Sequence, residues 1–293
     1  MHTRFILIHT SHAGNVGAAA RAMKTMGFDD LVLVAPRWAN VLKREETIQR
    51  ASGALDVLKN ARIVATLDEA LDGITHLCAT AMTPRDFGPP TVTPREHFEG
   101  LVKKERVRQD SSALEDQSQP AMTDQGRASD QGVAFLFGSE RFGMSNEDVY
   151  RCHACLNIPS NPQFGSLNLG AALQVIAYEW RLALGGYADA DGAESAPVRP
   201  EPVEASDPST GSGRTGVLAD ASQVAGMLAH LEKSLVAIGF LDPQAPKKLM
   251  PRLNQLFNRA GVTQEEIHIL RGIAKMMERS ANLPNPLPPA GTP

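Results

Sequence analysis

The sequence predicts an α/β protein with a mostly parallel sheet, followed by a small all-helical C-terminal unit. Two observations predict the first part. Short apolar runs bounded by turn residues alternate with helix-spaced segments through roughly the first 185 residues, and no apolar segment of membrane-helix length breaks that alternation. A third observation predicts the second part: beyond a stretch rich in Pro, Gly, Ser and acidic residues, positions 221–281 carry helical periodicity and no strand pattern.

The runs FILIHT (5–10), LVLVA (31–35), ARIVATL (61–67), HLCATA (76–81), VAFLFG (133–138) and ACLNIP (154–159) read as buried strands. Helical spacing appears between them at 18–27, 47–60, 94–107 and 166–184. In the C-terminal unit, helices are expected near 221–239, 247–260 and 264–280. Thr263-x-x-Glu266 forms a capping box at the start of the last one, where the hydroxyl and the carboxylate satisfy exposed helix N–H groups. Two segments have no hydrophobic period, 109–132 and 188–220, and are expected to be a flexible insert and a linker. The expected organisation is therefore a domain over 1–187, the linker, a helical domain over 221–281, and a proline-rich tail over 282–293.

Composition bounds what such a protein does. With 293 residues, 42% hydrophobic and 21% charged, it is neither a disulfide-stapled miniature nor a fibre. Three cysteines (Cys78, Cys152, Cys155) cannot all pair, the N-terminus lacks the features of a signal peptide, and no segment has the length of a membrane helix. These features predict a soluble, cytoplasmic protein of a reducing compartment. The net charge of −4 argues at first against a polyanionic partner. The charge is unevenly spread, however. The insert carries five acids and one base and the linker seven acids and two bases, so the remainder stands at +5.

Ligands of parallel sheets bind at the carboxyl ends of the strands, which directs attention to three loops. The first, Thr10-Ser11-His12-Ala13-Gly14-Asn15-Val16-Gly17, opens into a helix carrying Arg21; its glycines suit a tight turn and its helix N–H groups suit an anion. The second runs from Gly138 through Glu140 to Asn146, and the third from Ser160 through Gly165 and Ser166 to Asn168. Taken singly, Ser145 and Ser166 are also N-cap candidates, Gly138 and Gly165 turn residues, and Arg21 a solvent-facing helix arginine. There is no P-loop and no G-x-G-x-x-G after the first strand. Cys152-His153-Ala154-Cys155 lacks a second ligand pair, so no metal is expected and the thiols are expected to be buried and structural. Asn161-Pro162-Gln163-Phe164 approximates the turn of amino-group methyltransferases, but the glycine-rich cofactor loop of that class is missing.

Together the runs SHAGNVGAAARAMKTMGF, FLFGSERFGMSNEDVYRC and LNIPSNPQFGSLNLGAALQVIAYEWR resemble the SPOUT-class RNA 2′-O-methyltransferases, most closely the bacterial TrmJ type that acts on tRNA cytidine or uridine 32. The similarity spans roughly 1–187, and 221–281 resembles the C-terminal extension of that type more thinly. The resemblance implies a SPOUT fold whose C-terminal part is threaded into a trefoil knot, a homodimer built through it, a tRNA substrate and the cofactor S-adenosylmethionine. Carried over residue by residue, it implies cofactor contacts at Thr80, Ala81, Met82, Gly138, Ile158, Gly165, Ser166, Leu167 and Asn168. The turn Ala79-Thr80-Ala81-Met82-Thr83 departs from the family's G-T-S-A-R in lacking the arginine, and Arg85 lies two residues beyond.

Methyl transfer to a ribose hydroxyl needs that hydroxyl aligned behind the methyl carbon and its developing charge stabilised. Arg21 and Asn15 are the expected cation and polar hand, with Ser166 and Glu140 as further candidates for orienting the hydroxyl or moving its proton. The face from Leu167 through Ala171 and Val175 to Trp180 suits either a dimer or packing on its own sheet. Basic helices in 221–281 are expected to approach tRNA phosphates. Two other readings remain: an RNA-binding protein of this fold that has lost catalysis, and a methyltransferase that marks a base.

Overall fold

In the computed structural model, residues 1–81, 84–115, 132–187, 217–244 and 248–281 are described, 109–115 by their backbone alone. Seven strands, β1 (His2–Ile8), β2 (Asp30–Val34), β3 (Arg62–Val64), β4 (His76–Thr80), β5 (Thr91–Val92), β6 (Gly132–Phe137) and β7 (Ala154–Leu156), form one sheet in the order β3-β2-β1-β6-β4-β7-β5. Every pairing is parallel. All strands therefore end on one edge, the edge at which such sheets take ligands.

All six expected strands are present, and the two-residue β5 is additional. Strand β1 begins earlier than its apolar run because a polar network tolerates charge there. Buried Arg4 donates to Asp30 at 2.7 Å and to the carbonyls of Ala70 and Asp72 at 2.9 and 2.8 Å. Alternate β1 residues serve two layers. Phe5 and Leu7 face α1 (Ala13–Thr25), α4 (Pro94–Glu115) and α6 (Leu169–Ala183), whereas Ile6 and Ile8 pack with Leu71, Ile74 and Val149. Coverage on both faces explains why the strands read as continuous apolar runs.

The helices depart from expectation in instructive ways. The single helix expected over 47–60 is two, α2 (Glu45–Ala51) and α3 (Leu55–Asn60), broken at Ser52, whose φ of 51° is incompatible with continuing the helix. Gly14 and Gly17 lie inside α1 rather than in a turn before it. A Cβ on Gly17 would sit 2.1 Å from the Thr47 carbonyl, so glycine there lets α2 cross α1 in close contact. Trp180 belongs to the inward face of α6, edge-on to Phe98 and Phe135 at 5.2 and 5.6 Å, with its indole N–H on Thr3 Oγ1 at 2.9 Å. The expected stripe from Leu167 to Trp180 is therefore not a single face, and it is Ala171, Tyr178 and Leu182 that are exposed along the outer side of α6.

Helix α4 continues to Glu115, seven residues into the expected insert, where Ala113, Leu114 and Glu115 favour helix, and Gly132 already belongs to β6. The rest of that insert, and the linker up to 216, lie outside the described residues. The C-terminal unit consists of α7 (Ala221–Ala237), α8 (Leu249–Ala260) and α9 (Gln264–Ala281) around Met227, Leu228, Val262 and Ile267. The Thr263/Glu266 box is formed, with both bonds made at 2.8 and 3.3 Å. A second box caps α7 through Asp220 and Gln223. The linker's last residues thus belong to the helical unit, where Leu218 pairs with Thr263. The unit is anchored to the sheet domain by the Ala221 amide, which donates to the Ile74 carbonyl at 2.7 Å. Among the described residues, no helix is long and apolar enough to cross a membrane.

Candidate active site

The three loops singled out in the sequence converge at the carboxyl edge of β1, β6, β4 and β7 on a cleft of about 560 Å³. Its lining includes Asn15 from the first loop region, Gly138 and Glu140 from the second, and Gly165, Ser166, Leu167 and Asn168 from the third. Thr80 and Ala81 at the end of β4, and Ile158 beyond β7, complete the set expected from sequence. Met82, the remaining candidate, lies outside the described residues.

Glu140 is the hub. Its carboxylate accepts from Thr10 Oγ1 at 2.8 Å, the Ser11 amide at 2.8 Å, Ser11 Oγ at 2.7 Å, the His12 amide at 3.4 Å and Asn15 Nδ2 at 2.9 Å. Burial alone would raise its pKa, but the donors from Asn15 and Ser11 outweigh it and hold the carboxyl at about 2. Two expectations change as a result. The anion expected at the start of α1 is the chain's own Glu140, set against the exposed N–H groups just ahead of that helix. A carboxylate so fully engaged is also poorly suited to taking up a proton near neutral pH.

Asn15 passes the connection onward. Its carbonyl oxygen accepts from Asn168 Nδ2 at 3.0 Å, and Asn168 Oδ1 accepts from the Gly170 amide at 2.9 Å. Asn168, rather than Ser166, is the N-cap of α6, so Ser166 lines the cleft without that duty. Ser145 does cap α5 (Asn146–Tyr150), accepting from the Asp148 amide at 3.1 Å. The loop after β6 is closed by mutual Ser139–Gly143 backbone bonds of 3.0 and 2.9 Å. Gly138 is required there, because a Cβ would meet the Gly143 carbonyl carbon at 2.2 Å and the Met144 nitrogen at 2.4 Å.

Arg21 is not brought into this cleft. It is exposed on α1, in the third turn of the helix, and is absent from the cleft lining. Sequence reasoning also missed His12, Ser139, Gly143, Met144, Leu156 and Ala172, all of which line the cleft. The signal that finds most of them is their position in or beside the three loops. Arg85 lines it as well, and the Arg85 Nε is buried with no hydrogen-bond partner among the described residues. The lining combines apolar Met144, Leu156, Ile158 and Leu169 with polar groups from Asn15, Thr80, Glu140 and Asn168. Such a mixed lining suits a small ligand that has both apolar and polar parts.

A second polar cluster lies at the opposite edge of the sheet. Cys78, Cys152 and Cys155 are free and buried, and burial raises all three thiol pKa values. His76 Nε2 is 3.0 Å from His97 Nε2, and the His76 ring also packs against His153 with centroids 4.7 Å apart. One ligand atom each of His76, Cys78 and His97 lies within 4.8 Å of the others, so the compact donor set is not the Cys152/Cys155 pair that the sequence draws attention to. Burial pushes His97 and His153 down to about 4 and His76 well below its ordinary range, leaving neutral imidazoles packed together.

Comparison with known proteins covers both parts of the chain. The SpoU rRNA methylase family profile matches residues 2–178, and that of the tRNA methyltransferase TrmJ C-terminal domain matches 222–286. The tRNA (cytidine/uridine/adenosine-2′-O-)-methyltransferase TrmJ of Pseudomonas aeruginosa (strain UCBPP-PA14) is 38% identical over 278 residues, 95% of this chain and 94% of that protein. The tRNA (cytidine/uridine-2′-O-)-methyltransferase TrmJ of Escherichia coli (strain K12) is 37% identical over 94% of this chain and 95% of its own. The crystal structure of TrmJ from Z. mobilis ZM4 matches with a TM-score of 0.68 at 28% identity, covering 95% of this chain and 100% of that one. A probable methyltransferase from Bordetella pertussis Tohama I matches at 42% identity with a TM-score of 0.51, over 62% of this chain and 96% of that one. With the sheet domain and the helical unit both matched, the chain belongs to the SpoU methylase family, as a methyltransferase of its TrmJ type.

Proposed function

We propose that the protein transfers a methyl group from S-adenosylmethionine to the ribose 2′-hydroxyl of nucleotide 32, cytidine or uridine, in the anticodon loop of tRNA. The observation that carries this reading is the convergence of three loops on one cleft through the Glu140–Asn15–Asn168 chain. The TrmJ names of relatives alike over nearly the whole chain support the tRNA ribose as acceptor. The mixed apolar and polar lining fits the cofactor, with Thr80, Ala81, Gly138, Ile158, Gly165, Ser166, Leu167 and Asn168 as its holders and Met82 as an expected further one.

When bound, the cofactor would supply a methyl carbon on a sulfonium: the carbon–sulfur bond would break to leave a neutral thioether as the bond to the ribose oxygen forms, and the hydroxyl proton would pass to solvent. The chain's part is alignment and charge. Asn15, fixed at both ends of its amide by Glu140 and Asn168, presents a rigid polar group beside the acceptor position. Ser166 orients the acceptor hydroxyl. A guanidinium is not a proton acceptor in proteins, so Arg21 acts as anchor for a phosphate or stabiliser of the developing alkoxide. Because Arg21 does not line the cleft of its own chain, the reading includes a homodimer in which both chains complete each site. Exposed Ala171, Tyr178 and Leu182 on α6 support that assembly, and the trefoil-knotted path and a cytoplasmic location belong to the same proposal.

The test is transfer of labelled methyl to tRNA, with the product nucleoside mapped by mass spectrometry. The expected product is 2′-O-methylcytidine or 2′-O-methyluridine at position 32. Arg21→Ala is expected to lose transfer by at least about 100-fold, a cost in the range for removing one transition-state contact, while cofactor affinity is retained. A folded Arg21→Ala protein with normal transfer removes Arg21 from the mechanism, and a methylated base in place of ribose refutes the reading.

A further inference from the structure

The cofactor cleft has one wall that the three sequence motifs do not account for. Arg85 sits in the segment after β4, lines the cleft, and holds a buried Nε that has no partner among the described residues. A guanidinium N–H shut away from water without an acceptor is costly, and a carboxylate is the group that satisfies it best.

The segment that carries Arg85 is not held by the sheet domain alone. The Gly88 amide donates to the Arg85 carbonyl at 2.9 Å, closing a tight turn, and Phe87 within it has a φ of +63°. A non-glycine residue persists in that region when its surroundings hold it there. Helix α8 provides the hold. The Gln255 side-chain amide donates to the carbonyls of both Phe87 and Gly88. Lys248 Nζ stands 3.7 Å above the Phe87 ring and the Arg252 guanidinium 5.2 Å from it. Lys248, Arg252 and Gln255 follow one another at i, i+4 and i+7, so a single helical face makes these contacts. The same helix reaches the neighbouring loop, where Asn258 Nδ2 donates to the carbonyls of Arg151 and Cys152 at 3.1 and 3.3 Å. Tyr150 in turn donates its hydroxyl to the Asp86 carbonyl at 3.0 Å.

We propose that the C-terminal helical unit completes the cofactor cleft at one remove: α8 clamps the 85–88 turn, and the turn presents Arg85 to the carboxylate at the amino-acid end of the cofactor. Arg85 is then a cofactor-binding residue, and Gln255 is a positioning residue that acts through the turn. The burial of Nε among cleft residues favours the small ligand over an RNA phosphate. This assignment rests on the methyl-donor reading above.

The experiment compares two ligands by titration calorimetry on the full chain: S-adenosylhomocysteine, which carries the carboxylate, and 5′-methylthioadenosine, which has the same adenosine thioether and lacks the amino-acid end. Arg85→Gln is expected to weaken S-adenosylhomocysteine at least about tenfold and leave methylthioadenosine within about twofold, as expected for loss of one charge-assisted contact. Arg85→Lys is expected to restore part of the loss. Gln255→Ala is expected to show the same ligand-selective loss at roughly threefold, with the cofactor KM raised and kcat kept, since it removes only the hold on the turn. Equal weakening of both ligands, no weakening, or weakened tRNA binding with unchanged S-adenosylhomocysteine affinity would each overturn the proposal. If the unaltered protein binds neither ligand, the methyl-donor reading itself fails and takes this one with it.

Discussion

Both edges of the sheet gather half-buried polar side chains, and at both edges pKa values are pulled down, for opposite reasons. At the carboxyl edge, donors from Ser11 and Asn15 overcome burial and keep Glu140 charged, with its pKa at about 2. At the amino edge, burial keeps His76, His97 and His153 neutral. Strand β4 joins the two, with His76 at its start and Thr80 in the cleft at its end, about 13 Å apart at the usual strand rise. By residue type, the cluster of histidines and cysteines looks the more catalytic. The comparison teaches that residue type is a poorer guide than the state of the groups: the carboxyl edge holds preformed donors around a retained charge, and the amino edge holds neutral rings packed on one another.

The largest expected effect breaks the carboxyl edge alone. Gly138→Ala would drive a Cβ into backbone atoms of Gly143 and Met144 at 2.2 and 2.4 Å, and backbone cannot swing aside as a side-chain end can. The loop after β6 must move and carry Glu140 with it. A loss of about 3 kcal/mol of stability is expected in urea melts, together with loss of S-adenosylhomocysteine binding. An unchanged urea midpoint would show that the loop is not built on that close approach. Next in size is Glu140→Gln, which keeps the shape but turns one acceptor oxygen into a donor, facing either the Ser11 amide and hydroxyl or the Thr10, His12 and Asn15 donors. About 2 kcal/mol of stability is expected to be lost, and methyl transfer falls because Asn15 loses its fixed partner. A Glu140→Gln protein as stable and active as the parent would deny the hub its role.

The α/β body was legible because its strands are covered on both faces, so each one announces itself as an apolar run, and because three loops follow strand ends with unusual residues. Residues that act through space were less legible. Nothing in the sequence spacing shows that Glu140 and Asn15, so far apart in the chain, share a hydrogen bond. Arg21 looked like part of the first loop's chemistry, yet the helix carries it away from its own chain's cleft. Gly17 looked like a turn glycine, but its cause lies in α2, which sequence reading alone does not bring alongside. Helix α5 and strand β5 were missed because segments of five and two residues give no measurable period. Likewise the hold of α8 on the 85–88 turn depends on how the helical unit docks on the sheet domain, and a helix sequence reports only its own faces.

The smallest expected effect separates the two edges by pH. For a histidine whose folded pKa lies below its ordinary value, the unfolded chain binds more protons in between, so stability is full above the ordinary value of 6.5 and falls as pH drops toward about 4. Glu140 works in a lower window. Its lowered pKa gives stability that is full above 4.5 and is lost as pH falls toward about 2. Acid titration of the unfolding free energy should therefore show two successive declines, the first on the order of 1 kcal/mol per histidine after discounting for solvent. His97→Phe lowers stability at every pH by removing the partner of His76, so the level is not diagnostic, and the slope is. A shallower decline between pH 6.5 and 4 with the lower decline intact is the expected result, and Glu140→Gln should show the converse. If His97→Phe leaves the upper slope unchanged, the imidazoles are not held neutral by burial, and the contrast between the two edges loses one of its sides.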